Sequence, residues 1–104
     1  MKCSKSLVLT FCLTLSAWAQ AQAQSPSAMQ ARSWAAGCAN CHGTNGHAEP
    51  VMVSLAGMNK DDMVKTMLDF KSGRRPATVM HQLAKGYSDV QIQAIASFFA
   101  AQKK

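Results

Sequence analysis

The chain has 104 residues, with 11 Lys and Arg against 5 Asp and Glu, giving a formal net charge of +6. That length bounds it to one small domain with a single core and excludes an elaborate multi-site enzyme. Lys60, Lys65, Lys71, Arg74, Arg75 and Lys85 fall mostly at helix-surface positions without interleaved aromatics, so no nucleic-acid role is indicated and a solvated face is their expected place.

At the N-terminus Lys2 and Lys5 precede an apolar run from Leu7 to Ala19, followed by small residues alternating with glutamine through Ala23. This is the layout of a secretory signal peptide, so residues 1–23 are expected to be a leader removed on export to the periplasm, and residues 24–104 the folded domain. A spanning helix needs about 20 consecutive apolar residues, and the glutamines from position 20 onward interrupt the run, so no stable membrane insertion is expected. Losing Lys2 and Lys5 takes the charge from +6 to +4, and losing Cys3 and Cys12 leaves only Cys38 and Cys41. A domain of about 80 residues is marginal on its own core and commonly depends on a staple.

A first helix is expected from a cap at Ser25 to Ser27, with Pro26 tolerated in its first turn, through Met29, Arg32, Trp34 and Ala35 toward Cys38. Gly43, Gly46, Pro50 and Gly57 punctuate an aperiodic stretch, read as a loop. Asn59 before Lys60, Asp61 and Asp62 caps a second helix carrying Met63, Val64, Met67 and Leu68 and ending at Gly73. After the Arg74-Arg75-Pro76 break, a shorter helix from Ala77 to Lys85 should end at Gly86. Ser88 and Gln91 form a capping box for a last helix with Ile92, Ile95, Ala96 and Phe99 on one face, reaching Lys103 and Lys104, whose charges suit its dipole. No segment alternates as a strand, so the expected fold class is all-α.

Cys38-Ala39-Asn40-Cys41-His42 is the C-x-x-C-H attachment pattern of c-type haem, in which both thiols form thioethers to the porphyrin and the histidine ligates iron. Two intervening residues on a helical turn let both sulfurs reach one side of the macrocycle, with the histidine beneath the metal. Three rival readings are weaker. A thiol oxidoreductase site expects a β-α-β context, and a zinc knuckle needs a second ligand pair that His47 and His81 do not make. A structural disulfide leaves His42 without a role. A haem-ligating histidine donates its other ring nitrogen to an acceptor, and the Pro50 carbonyl in the following loop is the candidate. For an opposite axial ligand, Met63 and Met67 fall on the apolar stripe of the second helix, Met52 and Met58 flank the loop, Met29 precedes the motif and His47 follows His42 too closely. Met80 and its neighbour His81 remain, and they point about 100° apart on a helix. Trp34, Leu55, Met67, Leu68, Phe98 and Phe99 are candidate pocket lining.

With these residues in place the sequence resembles the class I cytochromes c, over nearly all of residues 24–104. Cys38 to Gly43 match C-x-x-C-H-G, and Pro50, Met52, Leu55 and Gly57 match the loop whose proline carbonyl accepts from the haem histidine. The segment from Phe70 to Asp89 is similar to the cytochrome subunit of flavocytochrome c sulfide dehydrogenases. The resemblance implies a small fold of three to five helices around one covalently attached haem c, with Met80 as the distal iron ligand. It also implies an electron-transfer protein with redox partner proteins, among them a flavoprotein subunit that oxidises sulfide. Some relatives contain two haems, whereas one C-x-x-C-H here implies one. The alternatives are a free carrier donating to a terminal oxidase, or a haem enzyme or gas sensor whose distal position is vacant.

Overall fold

The computed structural model describes residues 25–104, and the expected leader, residues 1–23, lies outside them. Among the described residues there are five α-helices and no strand: α1 Ala28–Ala35, α2 Ala39–His42, α3 Lys60–Lys71, α4 Met80–Lys85 and α5 Asp89–Ala100. The all-α expectation holds.

Ser27, in extended conformation, is the N-cap of α1. Its hydroxyl accepts from the Gln30 N–H at 3.2 Å and the Gln30 side chain accepts from the Ser27 N–H at 2.9 Å, a full capping box that leaves Pro26 ahead of the helix rather than in its first turn. A tighter turn over Ala36–Cys38 joins α1 to α2, so the chain stays helical in sense from Ala28 to His42. Asn59 caps α3 by accepting from the N–H groups of Asp61 at 2.9 Å and Asp62 at 3.1 Å, and Lys71 stands in its last turn where a cation suits the dipole. Ser88 and Gln91 make the expected capping box on α5 at 3.2 and 2.9 Å.

Helix α5 is the centre of the packing, with α1 and α3 both laid against it and α4 against α3. Ile92, Ile95, Ala96 and Phe99 are all buried, joined by Ala35, Met63 and Val64 in one cluster. Gly46 sits hard against this cluster. It has φ +83°, and a Cβ there would stand 2.8 Å from the Phe99 ring and 2.7 Å from the Ala56 nitrogen, so no side chain fits.

Two boundaries differ from expectation. Helix α4 starts at Met80, not Ala77, because Val79 has a non-helical φ of −131° and no capping side chain. The β-branched pair Thr78 and Val79 following Pro76 disfavours an earlier start. Helix α5 ends at Ala100, short of Lys103 and Lys104. Its last carbonyls are taken by other donors: the Gln102 side chain donates to Phe98 O at 2.8 Å, and the Gly57 N–H donates to Phe99 O at 2.9 Å. No basic residue therefore sits in the last turn of α5.

Candidate functional site

The helical run from α1 into α2 presents Cys38, Cys41 and His42 at i, i+3 and i+4, which is one side of a helix. Both cysteines are free thiols, Cys38 half-buried and Cys41 exposed. Burial pushes the Cys38 thiol above its usual range.

The run stops at Gly43, and the loop beyond folds back on itself. The Gly46 carbonyl accepts from Leu55 N at 2.8 Å and Ala56 N at 3.1 Å, and the Ser54 hydroxyl accepts from Ala48 N at 3.0 Å. This brings Val53 to the histidine, with His42 Nδ1 2.6 Å from the Val53 carbonyl oxygen. A carbonyl only accepts, so Nδ1 carries the proton and Nε2 is left with its lone pair free. The expected acceptor was the Pro50 carbonyl, and the structure corrects this. Pro50 follows Glu49 in a turn closed by Met52 N donating to Glu49 O at 2.9 Å, the place where proline's fixed φ is favoured. The chain reaches His42 only three residues later.

Two cavities of about 270 and 210 Å³ share Cys38, His42, Val53, Met67 and Met80 in their walls. Cys41, Val51, Met52, Val79, Leu83 and Tyr87 are among those completing the outer one, and Leu55, Met63, Phe70 and Ile95 among those completing the inner. The crevice therefore unites the four expected functional side chains Cys38, Cys41, His42 and Met80. Of the expected lining residues, Leu55 and Met67 are present, whereas Trp34, Leu68, Phe98 and Phe99 pack in or on the helical core instead. His81 lines neither cavity, and its Nδ1 is buried without a partner among the protein atoms.

The lining that sequence reasoning missed extends two helical stripes: Met63 and Phe70 flank Met67 on α3, and Leu83 and Tyr87 follow Met80 from α4 into the turn after it. Among the described residues Arg75 is the only Lys, Arg, Asp or Glu in either wall. Its guanidinium lies 5.3 Å from the centre of the Phe70 ring. Arg74 is turned elsewhere, donating to Asp69 from Nε at 3.0 Å and Nη2 at 2.6 Å. The Lys65 and Arg74 bonds hold the Asp69 carboxyl below the ordinary carboxylate range. Burial, with the Cys38 side chain adding to it, pushes the Tyr87 phenol up.

This donor set fits a covalently anchored macrocycle. Two thiols and an imidazole with a free nitrogen stand beside an apolar crevice with one cation in its wall. Among the described residues no three His, Cys, Asp or Glu side chains converge to hold a metal by themselves, so iron placed here needs equatorial donors of its own.

No family model matches the chain. Known proteins do. It is 40% identical over 67 residues to the cytochrome subunit of sulfide dehydrogenase of Chlorobaculum tepidum, covering 64% of this chain and 61% of that one. It is 39% identical over 99 residues to cytochrome c4 of Pseudomonas aeruginosa, covering 94% of this chain and 47% of the relative. Against cytochrome c-554(548) of Halomonas halodenitrificans the identity is 30% over 70 residues, covering 64% of this chain and 84% of the relative. The chain belongs to the c-type cytochromes. Its cofactor is covalently attached haem c. It spans three-fifths of the first of these relatives and about half of the second.

Proposed function

We propose that the protein is a periplasmic carrier of single electrons in which Cys38 and Cys41 hold the haem by thioether bonds, His42 and Met80 are the axial ligands of iron, and residues 1–23 direct export. The observation that carries this reading is the meeting of two thiols, the Met80 thioether and an imidazole with its Nδ1 already engaged on one apolar crevice.

Haem c supplies a one-electron ferric–ferrous couple when bound. The protein's part is to set its surroundings. The Val53 carbonyl holds the Nδ1 proton, which fixes the ring and leaves Nε2 the more basic donor. Val53, Leu55, Met67 and Ile95 form an apolar wall that excludes water and favours the less charged oxidation state. Arg75, the one cation among the described wall residues, would suit a propionate carboxylate. With His42 and Met80 both holding the iron, oxygen or peroxide would find no open position, which would separate a carrier from a haem enzyme or gas sensor.

Met67 also lines both cavities, so variants must separate the two thioethers. Met67 stands in the third turn of α3, whereas Met80 opens α4. In the ferric protein, Met80→Ala should abolish the weak long-wavelength sulfur-to-iron band and open the ferrous iron to carbon monoxide. Met67→Leu and His81→Ala should keep the band. Loss of the band in Met67→Leu, or its survival in Met80→Ala, contradicts the assignment.

The likeness to a sulfide dehydrogenase subunit supports a flavoprotein as the electron donor. Sulfide added with that flavoprotein, copurified from the native periplasm, should reduce the haem. A haem that stays ferric in this mixture, but passes electrons to a terminal oxidase, supports the free-carrier alternative.

A further inference from the structure

We infer that Lys71 is a positioning residue for the distal side of the crevice: by tethering the Tyr87 turn it holds the Met80 segment closed over the site. This rests on the Met80 ligation proposed above. Lys71 belongs by sequence with the solvated basic residues, but its ammonium donates to the Tyr87 carbonyl at 2.8 Å and to the Asp89 carboxylate at 2.8 Å. Tyr87 lies in the three-residue connection between α4 and α5. Its backbone is therefore tied to the end of α3.

Its ring is tied at the other end. Tyr87 shares the outer cavity wall with Met80 and Leu83. A Cβ placed on Gly37 would stand 3.1 Å from the Tyr87 hydroxyl, so the phenol reaches across to the residue before Cys38, where glycine leaves it room. Tyr87 thus bridges the Met80 side of the crevice and the thiol side.

Such a tether matters because α4, although laid against α3 with Ala84 buried, is weak in its own right. It is six residues long, has no side-chain N-cap and exposes Val79 and Leu83. A helix that short does not persist on its own hydrogen bonds. The Asp89 pair is partly exposed, with side-chain exposures of 31% for Lys71 and 73% for Asp89, so its charge attraction contributes little. The partly buried bond to the Tyr87 carbonyl carries the effect.

The test uses the haem-loaded protein and carbon monoxide. In ferrous Lys71→Met, carbon monoxide should bind faster by about tenfold, the scale expected for losing a charged hydrogen bond to a half-buried carbonyl. The ferric sulfur-to-iron band should be lost at a lower denaturant concentration than the helical circular dichroism. Lys71→Arg should restore both readings, and Asp89→Asn should leave both near wild type. Gly37→Ala, which pushes on the tyrosine from the other side, should raise the carbon monoxide rate even if Lys71→Met fails to fold. Wild-type rates in Lys71→Met or in a folded Gly37→Ala, or a change in Asp89→Asn as large as that in Lys71→Met, overturn the inference. A sulfur-to-iron band that survives Met80→Ala instead removes the ligand assignment and leaves the tether's effect on the crevice to be read separately.

Discussion

The helical core and the crevice beside it solve the problem of a small domain differently. Where α5 meets α1 and α3, the chain closes on itself: Phe99 and Ile92 are each 1% exposed, and Gly46 lies against the Phe99 ring with no space between. At the crevice the apolar residues stay open, with Val51 at 89%, Val53 at 63%, Val79 at 54% and Leu83 at 51% exposure. One half of this protein is a finished core, and the other half is apolar surface shaped around something the polypeptide does not supply. Fully covering a Val or Leu side chain contributes about 1.5–3 kcal/mol, so covering these four side chains would add stabilisation that the polypeptide alone does not have.

The largest break in that contrast should come from the anchors. Cys38→Ala should lose one thioether and most of the holoprotein, leaving the lips of the crevice uncovered, as read from visible absorption per mole of protein. Full haem yield in that variant would show that the crevice is sealed without it. Phe99→Ala acts on the other half. It should cost about 3–5 kcal/mol in denaturant unfolding, because the surrounding residues have little room to collapse. A cost below that of an ordinary surface change would mean that the α1–α5 side is less finished than its burial shows.

The finished half was also the legible half. The Ser88 and Gln91 capping box, the Asn59 cap and the Ile92, Ile95, Ala96 and Phe99 face all rest on local spacing, which the fold then uses unchanged. The attachment motif was equally plain, because five adjacent residues on one helical run carry it. What could not be read depends on how distant segments meet. Val53 in place of Pro50 turns on the path of a loop, and the start of α4 at Met80 on backbone angles that no capping residue announces. Phe98 and Phe99 were expected in the crevice, but α5 turns Phe99 to the helical core. Lys71 looked like any surface lysine until the turn after α4 was laid beside it.

A smaller effect lies at the edge of the crevice. Asp69 pairs with Lys65 and Arg74 while Arg75, next along the chain, lines the inner wall. Because these bonds lower the Asp69 pKa in the folded state, their stabilisation is complete above the ordinary Asp value of about 3.9 and fades as pH falls through the lower folded value. Asp69→Asn should therefore lose less stability than wild type on acidification through this window, while both behave alike in their pH dependence near neutrality. Parallel acid titrations of the two proteins, followed by circular dichroism, would show that the pairs contribute nothing.

The central claim, that Cys38 and Cys41 close the crevice by covalent attachment of haem, is tested most directly by acid–acetone extraction of the protein exported with the haem-ligation machinery. The account predicts a red protein that keeps its haem through extraction and takes no thiol-alkylating reagent at either cysteine after denaturation. Haem released into the organic phase, with both thiols then open to alkylation, would contradict it.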